Sequence, residues 1–300
     1  MTILDDHSDR EESRVAIFGA GGFIGAATAA ALERAGHAVT RITSREANLA
    51  DAVAVCALDI PAGAYWLLAA ARSPDYAGEI HDTNVAIAQA AMALAAKAKP
   101  AGIVLLSSID VYGRANLTLP LHEGSPRNPQ SPYAESKCVT EDILSEGCRA
   151  LAVPLLTLRL PGVYGPGDTH RGPVRSFVEA ALCGDTLHVH GDGAQVRDLL
   201  YVEDVARIMC AWMAAPVTAL SNAATGRAIS LNAMIATISE TLGKNPEVAY
   251  HDAPQYDLTF RAPRLAALLP ELVLTPMEVG IGETCRRMGA RFEGEMPHAR

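Results

Sequence analysis

A tyrosine and a lysine, four residues apart, are the side chains in this sequence best suited to proton transfer. Ser131 and Pro132 are typical of a helix N-terminus, so Tyr133 and Lys137 would share one face of the helix that follows. A free tyrosine has a pKa of about 10, which is too high for a proton shuttle at neutral pH. An ammonium group about 4 Å away would stabilise the phenolate by roughly 4 kcal/mol. We expect Lys137 to lower the pKa of Tyr133 and make the phenol a general acid/base.

A pair of serines offers a second polar group to the same chemistry. Residues 103–106 form an apolar segment typical of a buried strand, and Ser107 and Ser108 follow it directly. Parallel sheets present their reactive groups at the carboxyl ends of the strands. A hydroxyl there can hydrogen-bond a carbonyl or alcohol oxygen of a substrate. Taken alone, the tyrosine and lysine also fit the surface of an ordinary amphipathic helix.

Three glycines precede these groups in the chain. Gly19, Gly22 and Gly25 come after the apolar residues 15–18 and before an alanine-rich helical segment. In a dinucleotide fingerprint, such glycines allow a tight turn, close approach of the backbone to a pyrophosphate, and close packing of helix on strand. The unpaired N–H groups of the helix N-terminus then attract the phosphates. A plain strand-to-helix turn is the alternative, but glycine loop, serine pair, tyrosine and lysine in this order are more specific together.

The residues after the second predicted strand bear on which nicotinamide cofactor binds. Sites for NAD usually place a carboxylate at the end of this strand, where it accepts hydrogen bonds from a ribose. Here Thr43, Ser44 and Arg45 follow residues 39–42, and no carboxylate occurs before Glu46. An arginine beside a hydroxyl suits the 2′-phosphate of NADP. The sequence favours NADP, with NAD as the alternative if Arg45 is an ordinary surface residue.

These groups need a parallel sheet to position them, and the pattern of the chain predicts one. Apolar segments of strand type alternate with helical segments, which is typical of right-handed βαβ units. The predicted fold class is α/β, a doubly wound parallel sheet of the Rossmann type with a smaller C-terminal substrate-binding lobe. We predict a helix that follows the glycine loop after Gly25 and runs to about Ala35, a second helix at residues 84–97, and strands at residues 15–18, 39–42, 64–69, 103–106 and 155–160.

Composition changes along the chain suggest how it is divided. The polar, acidic start predicts a disordered tail at residues 1–13, and the alternating pattern predicts a dinucleotide-binding domain at residues 14–161. Past Gly162 the pattern loosens, and glycine and proline cluster. We expect residues 162–300 to be mainly a substrate-binding lobe, with some segments returning to the Rossmann domain.

Composition and charge exclude several classes of function. The chain of 300 residues has 25 Lys+Arg and 34 Asp+Glu, a formal net charge of −9, which argues against a nucleic-acid partner. The start lacks the pattern of a signal peptide, and no apolar stretch approaches the roughly 20 residues of a membrane helix. The cysteines lack metal-ligand spacing, and His188 and His190 lack an evident third ligand. We expect a cytoplasmic protein with reduced thiols, no membrane partner and no metal.

The complete set of motifs resembles one protein family. From about residue 14 to residue 285, the chain resembles the extended short-chain dehydrogenases/reductases, specifically the nucleotide-sugar modifying NAD-dependent epimerase/dehydratase family. Besides the glycine loop and the tyrosine and lysine, four segments carry the resemblance. They read LSSIDVYG at residues 106–113, RLPGVYGP at residues 159–166, GDGAQVRD at residues 191–198 and YVEDVA at residues 201–206.

The resemblance implies roles for individual residues. It makes Ser108 the catalytic serine, Tyr133 the acid/base and Lys137 its partner on the nicotinamide ribose. Arg197 matches an arginine that binds the diphosphate of a nucleotide-sugar. The implied substrate-binding residues are Ser108, Asp110, Tyr133 and Arg197. The implied cofactor-binding residues are Gly19, Gly22, Phe23, Ile24, Gly25, Ser44, Arg45, Asn48, Leu49, Ala69, Ala70, Tyr133, Lys137 and Pro161.

The chain also departs from the family pattern. Gly162 stands where many nucleotide-sugar enzymes have a substrate-binding asparagine, which leaves the substrate class open. Ile109 replaces the first of two acidic residues found in 4,6-dehydratases, which argues against water elimination. Asp110 either supports the catalytic groups or begins the next loop. Arg171 and Arg175, in a loop rich in glycine and proline, either touch substrate or lie on the surface.

The direction of the reaction follows from the cofactor. A net reductase exchanges its cofactor at every turnover and draws on NADPH, whereas an epimerase oxidises and re-reduces one substrate with NAD kept bound. Because Arg45 favours NADP, we expect a nucleotide-linked 4-keto-sugar reductase, with a nucleotide-sugar epimerase as the alternative. A dinucleotide-sensing regulatory protein ranks third, since such sensors commonly lack the tyrosine and lysine present here. We expect a homodimer acting on a small-molecule substrate.

Overall fold

The computed structural model describes residues 13–74, 79–114, 117–170 and 172–295. Arg171 and the predicted N-terminal tail, apart from its last residue, lie outside these ranges. The strands are β1 (Arg14–Phe18), β2 (Ala38–Ile42), β3 (Tyr65–Leu68), β4 (Gly102–Ser108), β5 (Leu155–Leu160), β6 (Val163–Tyr164), β7 (Leu187–His190), β8 (Val196–Arg197), β9 (Leu200–Tyr201), β10 (Ala219–Asn222), β11 (Ile229–Ser230) and β12 (Val248–His251). The helices are α1 (Phe23–Arg34), α2 (Ala52–Cys56), α3 (Ile80–Ala98), α4 (Pro132–Leu151), α5 (Pro173–Cys183), α6 (Asp204–Met213), α7 (Leu231–Leu242), α8 (Pro263–Leu268) and α9 (Met277–Glu295).

The central sheet of the described chain has six parallel strands in the order β10, β5, β4, β3, β1, β2. Strand β1 pairs with β2 on one side and with β3 on the other, so the direction of winding reverses between β1 and β3. Sheets of this kind bind ligands at such a reversal, at the carboxyl ends of the strands. The predicted doubly wound parallel sheet is confirmed.

Helices cover both faces of the sheet. Successive residues of a strand point to opposite faces, so each strand contributes side chains to two cores. Val15, Ile17 and Leu67 belong to a core that also contains residues of α1, α6 and α8. Phe18 and Trp66 belong to a second core with residues of α2, α3 and α4. This double burial explains why the strands read as continuous apolar segments.

Local signals in the sequence predicted some of the helix ends. Helix α4 begins as predicted, with the hydroxyl of Ser131 accepting a hydrogen bond from the Ala134 N–H (3.1 Å). Helix α1 ends at Arg34, and Gly36 follows with φ of +88°. Helix α3 begins at Ile80, four residues before the predicted start, because its first turn is polar and lacks the apolar pattern.

A separate core holds the later part of the chain together. Helices α5, α7 and α9 pack around it with β7, and its members include Val174, Phe177, Met234 and Ile281. Helix α6 and strand β10 occur in the same part of the sequence, yet they pack on and within the central sheet. The boundary between the two predicted domains stays a prediction. Among the described helices, none combines the length and apolarity needed to cross a membrane.

Candidate active site

A cleft of about 390 Å³ lies at the carboxyl ends of the strands, beside the reversal in winding. The glycine loop supplies part of its wall, and the ends of β4 and β5 and the start of α4 supply others. The predicted site residues that line the cleft are Gly19, Gly22, Phe23, Ile24, Gly25, Ala69, Ser108, Tyr133, Lys137 and Pro161. The predicted site residues outside this lining are Ser44, Arg45, Asn48, Leu49, Ala70, Asp110 and Arg197.

The glycine loop has no room for side chains at two of its positions. Gly19 has φ of +92°, and a Cβ placed there would lie 2.7 Å from the backbone nitrogen of Ala70. A Cβ at Gly25 would collide with the carbonyl oxygen of Gly19. The loop therefore needs glycine both for its backbone conformation and for the close approach of α1, β1 and the end of β3.

The N-terminus of α1 fits a bound pyrophosphate. The N-cap residue, Gly22, has no side chain to cap the helix, and the first turn contains no acidic residue. The N–H groups of the first turn and the positive end of the helix dipole are therefore available at a turn that lines the cleft. A pyrophosphate needs such donors, so the residues present fit a dinucleotide cofactor.

The structure brings the three predicted catalytic residues together. Ser108 ends β4 and Tyr133 lies in the first turn of α4, and the Ser108 hydroxyl is close enough to the phenol to influence its ionisation. Lys137 follows one turn later, with its Nζ 5.7 Å from the centre of the Tyr133 ring. The ammonium group donates a hydrogen bond to the carbonyl oxygen of Leu106 (2.9 Å). The serine and the tyrosine can thus act on one substrate oxygen, with the lysine beside the tyrosine ring.

Burial dominates the ionisation of these groups. Burial and, after it, the charge of Asp110 raise the pKa of Tyr133 to about 12, although the nearby Ser108 hydroxyl opposes them. Burial also lowers the pKa of Lys137 to about 8, against the charge of Glu141. The expectation that Lys137 brings the Tyr133 pKa down is therefore wrong for this structure. The ammonium bonds a backbone carbonyl, and removal from water disfavours the phenolate more than any neighbour favours it.

A buried ion pair supports these residues from behind. Glu141, one turn after Lys137, accepts two hydrogen bonds from Arg159 of β5 (2.9 and 2.7 Å) and one from the Ser107 hydroxyl (2.6 Å). The Glu141 and Arg159 side chains are only 4% and 5% exposed. The pair fixes α4 against β4 and β5 at the level of the serines. Sequence reasoning missed it, although an arginine inside an apolar strand is a visible signal.

Asn84 is a second supporting residue that sequence reasoning missed. Its amide nitrogen donates to the hydroxyl of Ser136 (2.9 Å) and to the carbonyl oxygen of Arg72 (3.2 Å), and its oxygen accepts from the Arg72 N–H (2.7 Å). This buried side chain therefore ties α3 to α4 and to the segment after β3. An asparagine in an otherwise apolar helix was the available signal.

A carboxylate, that of Glu46, lies at the end of β2, where the sequence predicted none. Glu46 turns back so that its Oε2 accepts hydrogen bonds from the N–H (2.7 Å) and the hydroxyl (2.6 Å) of Thr43. A Cβ on Gly21 of the glycine loop would lie 3.5 Å from the Thr43 Cβ, so this carboxylate is next to the loop. Sequence reasoning set Glu46 aside because it lies four residues after the strand. Arg45 is exposed in the same turn.

The other predicted adenine-side residues lie in the turn between β2 and α2. The Asn48 side chain accepts a hydrogen bond from the Ala50 N–H (3.2 Å), which shapes the turn. Leu49 packs against the core beneath α2 and α3. Ser44 is exposed beside Arg45. None of these four residues lines the cleft itself.

Asp110 and Arg197 are joined by a chain of side chains at the edge of the site. Asp110 pairs with Arg114 (3.1 Å), and Arg114 donates to the Tyr256 hydroxyl (3.1 Å). The Arg197 guanidinium stacks 4.7 Å from the centre of the Tyr256 ring and donates to the Tyr256 carbonyl oxygen (2.6 Å). The charge of Asp110 reaches Tyr133, so the Asp110 end of this connected set is close to the acid/base.

His170 and the two histidines noted in the sequence, His188 and His190, lie in different places. His170 lines the cleft. His188 and His190 lie on β7, where the His188 ring is 2.8 Å from that of His251, but the described residues contain no group of three ligands arranged to hold a metal. A second cavity, of about 440 Å³, lies between α1, α6 and residues 268–273 and contains none of the predicted site residues. The smaller cleft is therefore the candidate active site.

The match to known proteins agrees with this geometry. Residues 15–225 match the model of the NAD dependent epimerase/dehydratase family. The chain belongs to this family.

Two curated relatives illustrate the likeness. One is a Methanocaldococcus jannaschii protein with the provisional name UDP-glucose 4-epimerase, 32% identical over 157 residues that cover 50% of each chain. The other is the trifunctional UDP-glucose 4,6-dehydratase/UDP-4-keto-6-deoxy-D-glucose 3,5-epimerase/UDP-4-keto-L-rhamnose-reductase of Arabidopsis thaliana, 35% identical over 103 residues, which are 34% of this chain and 15% of that one. The matches span half or less of the length of these relatives.

Solved structures extend the likeness over most of the chain. UDP-glucose 4-epimerase of Thermotoga maritima, solved with UDP-glucose, has a TM-score of 0.81 and 24% identity, and the match covers 93% of this chain and 99% of that one. This likeness shows the shared fold. An NAD dependent NDP-hexosamine 5,6-dehydratase involved in tunicamycin biosynthesis has a TM-score of 0.76 and 27% identity, with coverage of 93% and 99%.

Proposed function

We propose that this family member is an NAD-dependent epimerase of a nucleotide-linked sugar. The observation that carries the proposal is a single cleft lined by the glycine loop and by Ser108, Tyr133 and Lys137. When bound, NAD takes a hydride from the sugar carbon and returns it. The chain's own residues hold the oxygen of that carbon while it is an alcohol and while it is a ketone.

The proton steps fall to the serine and the tyrosine. In this proposal Tyr133 first loses its own proton to solvent; the phenolate then takes the hydroxyl proton as the sugar is oxidised, and the phenol gives it back on reduction. Ser108, which lines the cleft with the phenol, donates a hydrogen bond to the same oxygen as it becomes a carbonyl. The pKa of about 12 for Tyr133 keeps the phenol protonated until ligands change its surroundings. In this proposal Lys137 holds the adjacent ribose through hydrogen bonds donated by its ammonium group.

The position of Glu46 supports NAD over NADP. Its carboxylate lies at the end of β2 beside the glycine loop, where it can accept hydrogen bonds from a ribose and would repel a 2′-phosphate. The family's NAD dependence and the names of the similar proteins agree with this choice. Together they move the epimerase ahead of the reductase that the sequence favoured.

Two arginines support a diphosphate-bearing substrate. Arg197 and Arg114 both contact Tyr256, and Arg114 is joined to Asp110, whose charge reaches Tyr133. In a protein of net charge −9, this pair is a local source of positive charge joined to Asp110. Guanidinium groups bind phosphates through charge-assisted hydrogen bonds. We therefore infer that the diphosphate of the sugar nucleotide lies against Arg197.

A net 4-keto-sugar reductase using NADPH is the second candidate, and Arg45 favours it. The exposed guanidinium stands one residue from Glu46 and could bind a 2′-phosphate if the carboxylate turned away. In either case we expect a homodimer in the cytoplasm that binds neither nucleic acid nor membrane.

The test is the conversion of defined substrates by the purified protein. UDP-glucose, UDP-glucuronate and dTDP-glucose are incubated separately with the protein, and the sugars are analysed by NMR. The proposal expects an epimerised sugar, NAD in the extract of the fresh protein, and no net change in the nicotinamide absorbance band. Steady consumption of added NADPH with a keto-sugar nucleotide would replace the epimerase with the reductase. No conversion and no binding of any of them would refute both.

A further inference from the structure

A histidine and an aspartate that the catalytic residues do not account for also line the cleft. Asp168 and His170 lie in the loop between β6 and α5 and share the cavity with Ser108 and Tyr133. They approach it from a different element, since Ser108 comes from β4 and Tyr133 from α4. Any molecule that fills the cleft next to Tyr133 therefore meets this loop.

The two side chains are arranged as a carboxylate that orients an imidazole. The Asp168 Oδ1 accepts a hydrogen bond from the His170 backbone N–H (2.9 Å) and lies 3.4 Å from the His170 Nδ1. The carboxylate is almost fully buried, with 4% of its side chain exposed, whereas the imidazole is 52% exposed. The ring thus has a buried acceptor near Nδ1 and an open side. Such contacts are often long without substrate and shorten in the complex.

The loop around the pair is fixed by hydrogen bonds. The Asp168 N–H donates to the carbonyl oxygen of Gly165 (3.2 Å), and Arg175 donates to the carbonyl oxygen of Asp168. Arg175 also forms an ion pair with Glu179 on α5. The sequence left two alternatives for Arg175, contact with substrate or a place on the surface. In the structure Arg175 instead holds this loop through its hydrogen bond to Asp168. Burial raises the Asp168 pKa, and the His170 and Arg175 charges oppose the rise.

We propose that His170 is a further substrate-contacting residue, which accepts a hydrogen bond from a sugar hydroxyl other than the one handled by Tyr133. Asp168 holds the tautomer with hydrogen on Nδ1, so the Nε2 lone pair is free to accept. Asp168 is a positioning residue that acts through the imidazole. The inference rests on the proposed function, because it takes the bound molecule to be a nucleotide-linked sugar. It makes His170 a residue that selects the sugar rather than the nucleotide.

The first experiment compares binding of UDP-glucose with UDP, and of dTDP-glucose with dTDP, to the NAD-loaded protein by calorimetry. His170→Phe keeps a ring of similar shape and removes both nitrogens. A lost neutral hydrogen bond predicts about 3- to 10-fold weaker binding of the sugar nucleotide, with the nucleoside diphosphate unaffected. His190→Phe, at an exposed histidine of β7 outside the cleft, is the matched control and should change neither.

The second experiment tests the aspartate without relying on turnover. Asp168→Asn keeps an oxygen for the His170 N–H but removes the charge, so the loop should keep its shape. Nitrogen NMR of the labelled protein should show hydrogen on Nδ1 of His170 in the wild type and a mixture of tautomers in the variant.

The outcomes separate the two claims. A wild type that binds no sugar nucleotide would refute the proposed function, and this inference with it. A wild type that binds one, with His170→Phe binding it equally well or losing the bare diphosphate as strongly, would refute the inference alone. A wild-type His170 protonated on Nε2 instead would also overturn it, because the free nitrogen would then face the aspartate.

Discussion

At the level of single residues, the Tyr133 hydroxyl is the group on which turnover depends most. The Tyr133 side chain is half-buried and lines the cleft together with Ser108 and the glycine loop. We expect Tyr133→Phe to reduce turnover by about 10²-fold or more, since general acid/base catalysis contributes roughly 10²- to 10⁴-fold. The far-ultraviolet circular dichroism should match the wild type because only one hydroxyl is lost. A variant that kept wild-type turnover would remove Tyr133 from the chemistry.

Lys137 has a stability cost that can be measured separately from catalysis. Burial lowers its pKa from 10.5 to about 8, so at pH 7 the fold holds a buried charge that the unfolded chain keeps in water. Replacing it with an apolar side chain of similar length removes that cost but also a hydrogen bond to Leu106. We expect Lys137→Met to be inactive and, at pH 7, more stable by about 1–2 kcal/mol.

The stability difference between the wild type and Lys137→Met should depend on pH in a defined direction. Between pH 8 and 10.5 the unfolded wild type holds more protons at Lys137 than the folded form does, so wild-type stability rises with pH in that window. The advantage of Lys137→Met should be largest below pH 8 and fade by about pH 10.5, measured by urea unfolding. Lys244→Met is the control, since Lys244 donates to the Leu182 carbonyl at an exposed site. The same pH dependence in both variants would contradict the argument.

The two neighbours at the end of β2 make opposite predictions for the cofactor. With NAD as the cofactor, Glu46→Gln should weaken NADH binding about 3- to 10-fold, the effect of losing a good hydrogen bond. Arg45→Ala should leave NADH binding unchanged and weaken only NADPH. Fluorescence titration of the wild type and both variants with NADH and with NADPH measures these affinities. A wild type that prefers NADPH and loses about 1.5–3 kcal/mol of that binding on Arg45→Ala would instead support the reductase.

At the level of elements, the Glu141–Arg159 pair joins α4 to β5 beneath the serines. Both side chains are buried, so removing one partner leaves the other charge in a place without water. We expect Glu141→Leu to lower the free energy of unfolding by about 3–5 kcal/mol, measured in urea. The double variant Glu141→Leu/Arg159→Met should recover most of this loss.

An exposed ion pair between α1 and β2, at the other edge of the central sheet, is the control for this prediction. Glu33 and Arg41 form a bidentate pair with about two fifths of each side chain in solvent. Glu33→Leu should cost at most about 1 kcal/mol because water screens the charges. If the double variant at the buried pair were no better than Glu141→Leu alone, packing rather than the unpaired charge would explain the loss.

At the level of the whole molecule, the later half of the sequence completes the core of the earlier half. Trp212 of α6 is fully buried, packs against Gly102 and Tyr65 at the start of β4 and β3, and donates to the Val217 carbonyl (2.9 Å). We expect Trp212→Ala to lower the free energy of unfolding by about 3–5 kcal/mol in one cooperative transition. Val217→Ala, at a half-exposed side chain nearby, should have little effect.

The number of transitions decides whether the two halves depend on each other. Urea unfolding followed by circular dichroism and by loss of bound cofactor should give one shared midpoint for Trp212→Ala. Two separate transitions, with the cofactor lost only in one of them, would show that the dinucleotide-binding half is stable without α6 and β10.

Features that depend on neighbours along the chain could be predicted from the sequence. The strands, the glycine loop and the start of α4 at Ser131 follow from residue spacing, helix capping and alternation of apolar segments. Because parallel strands end at one edge of their sheet, the order of the motifs also brought Ser108, Tyr133 and Lys137 to one cleft. The sequence by itself therefore determined the fold class and the position of the main candidate residues.

Features that depend on distant segments needed the tertiary structure. The sign of the Tyr133 pKa shift depends on how much protein removes the phenol from water, which no local pattern records. Glu46 meets Thr43, His170 enters the cleft, and β10 joins the sheet only because loops of particular shape bring them there. Loop geometry and desolvation arise from packing between residues far apart in sequence, so the tertiary structure alone decided these points.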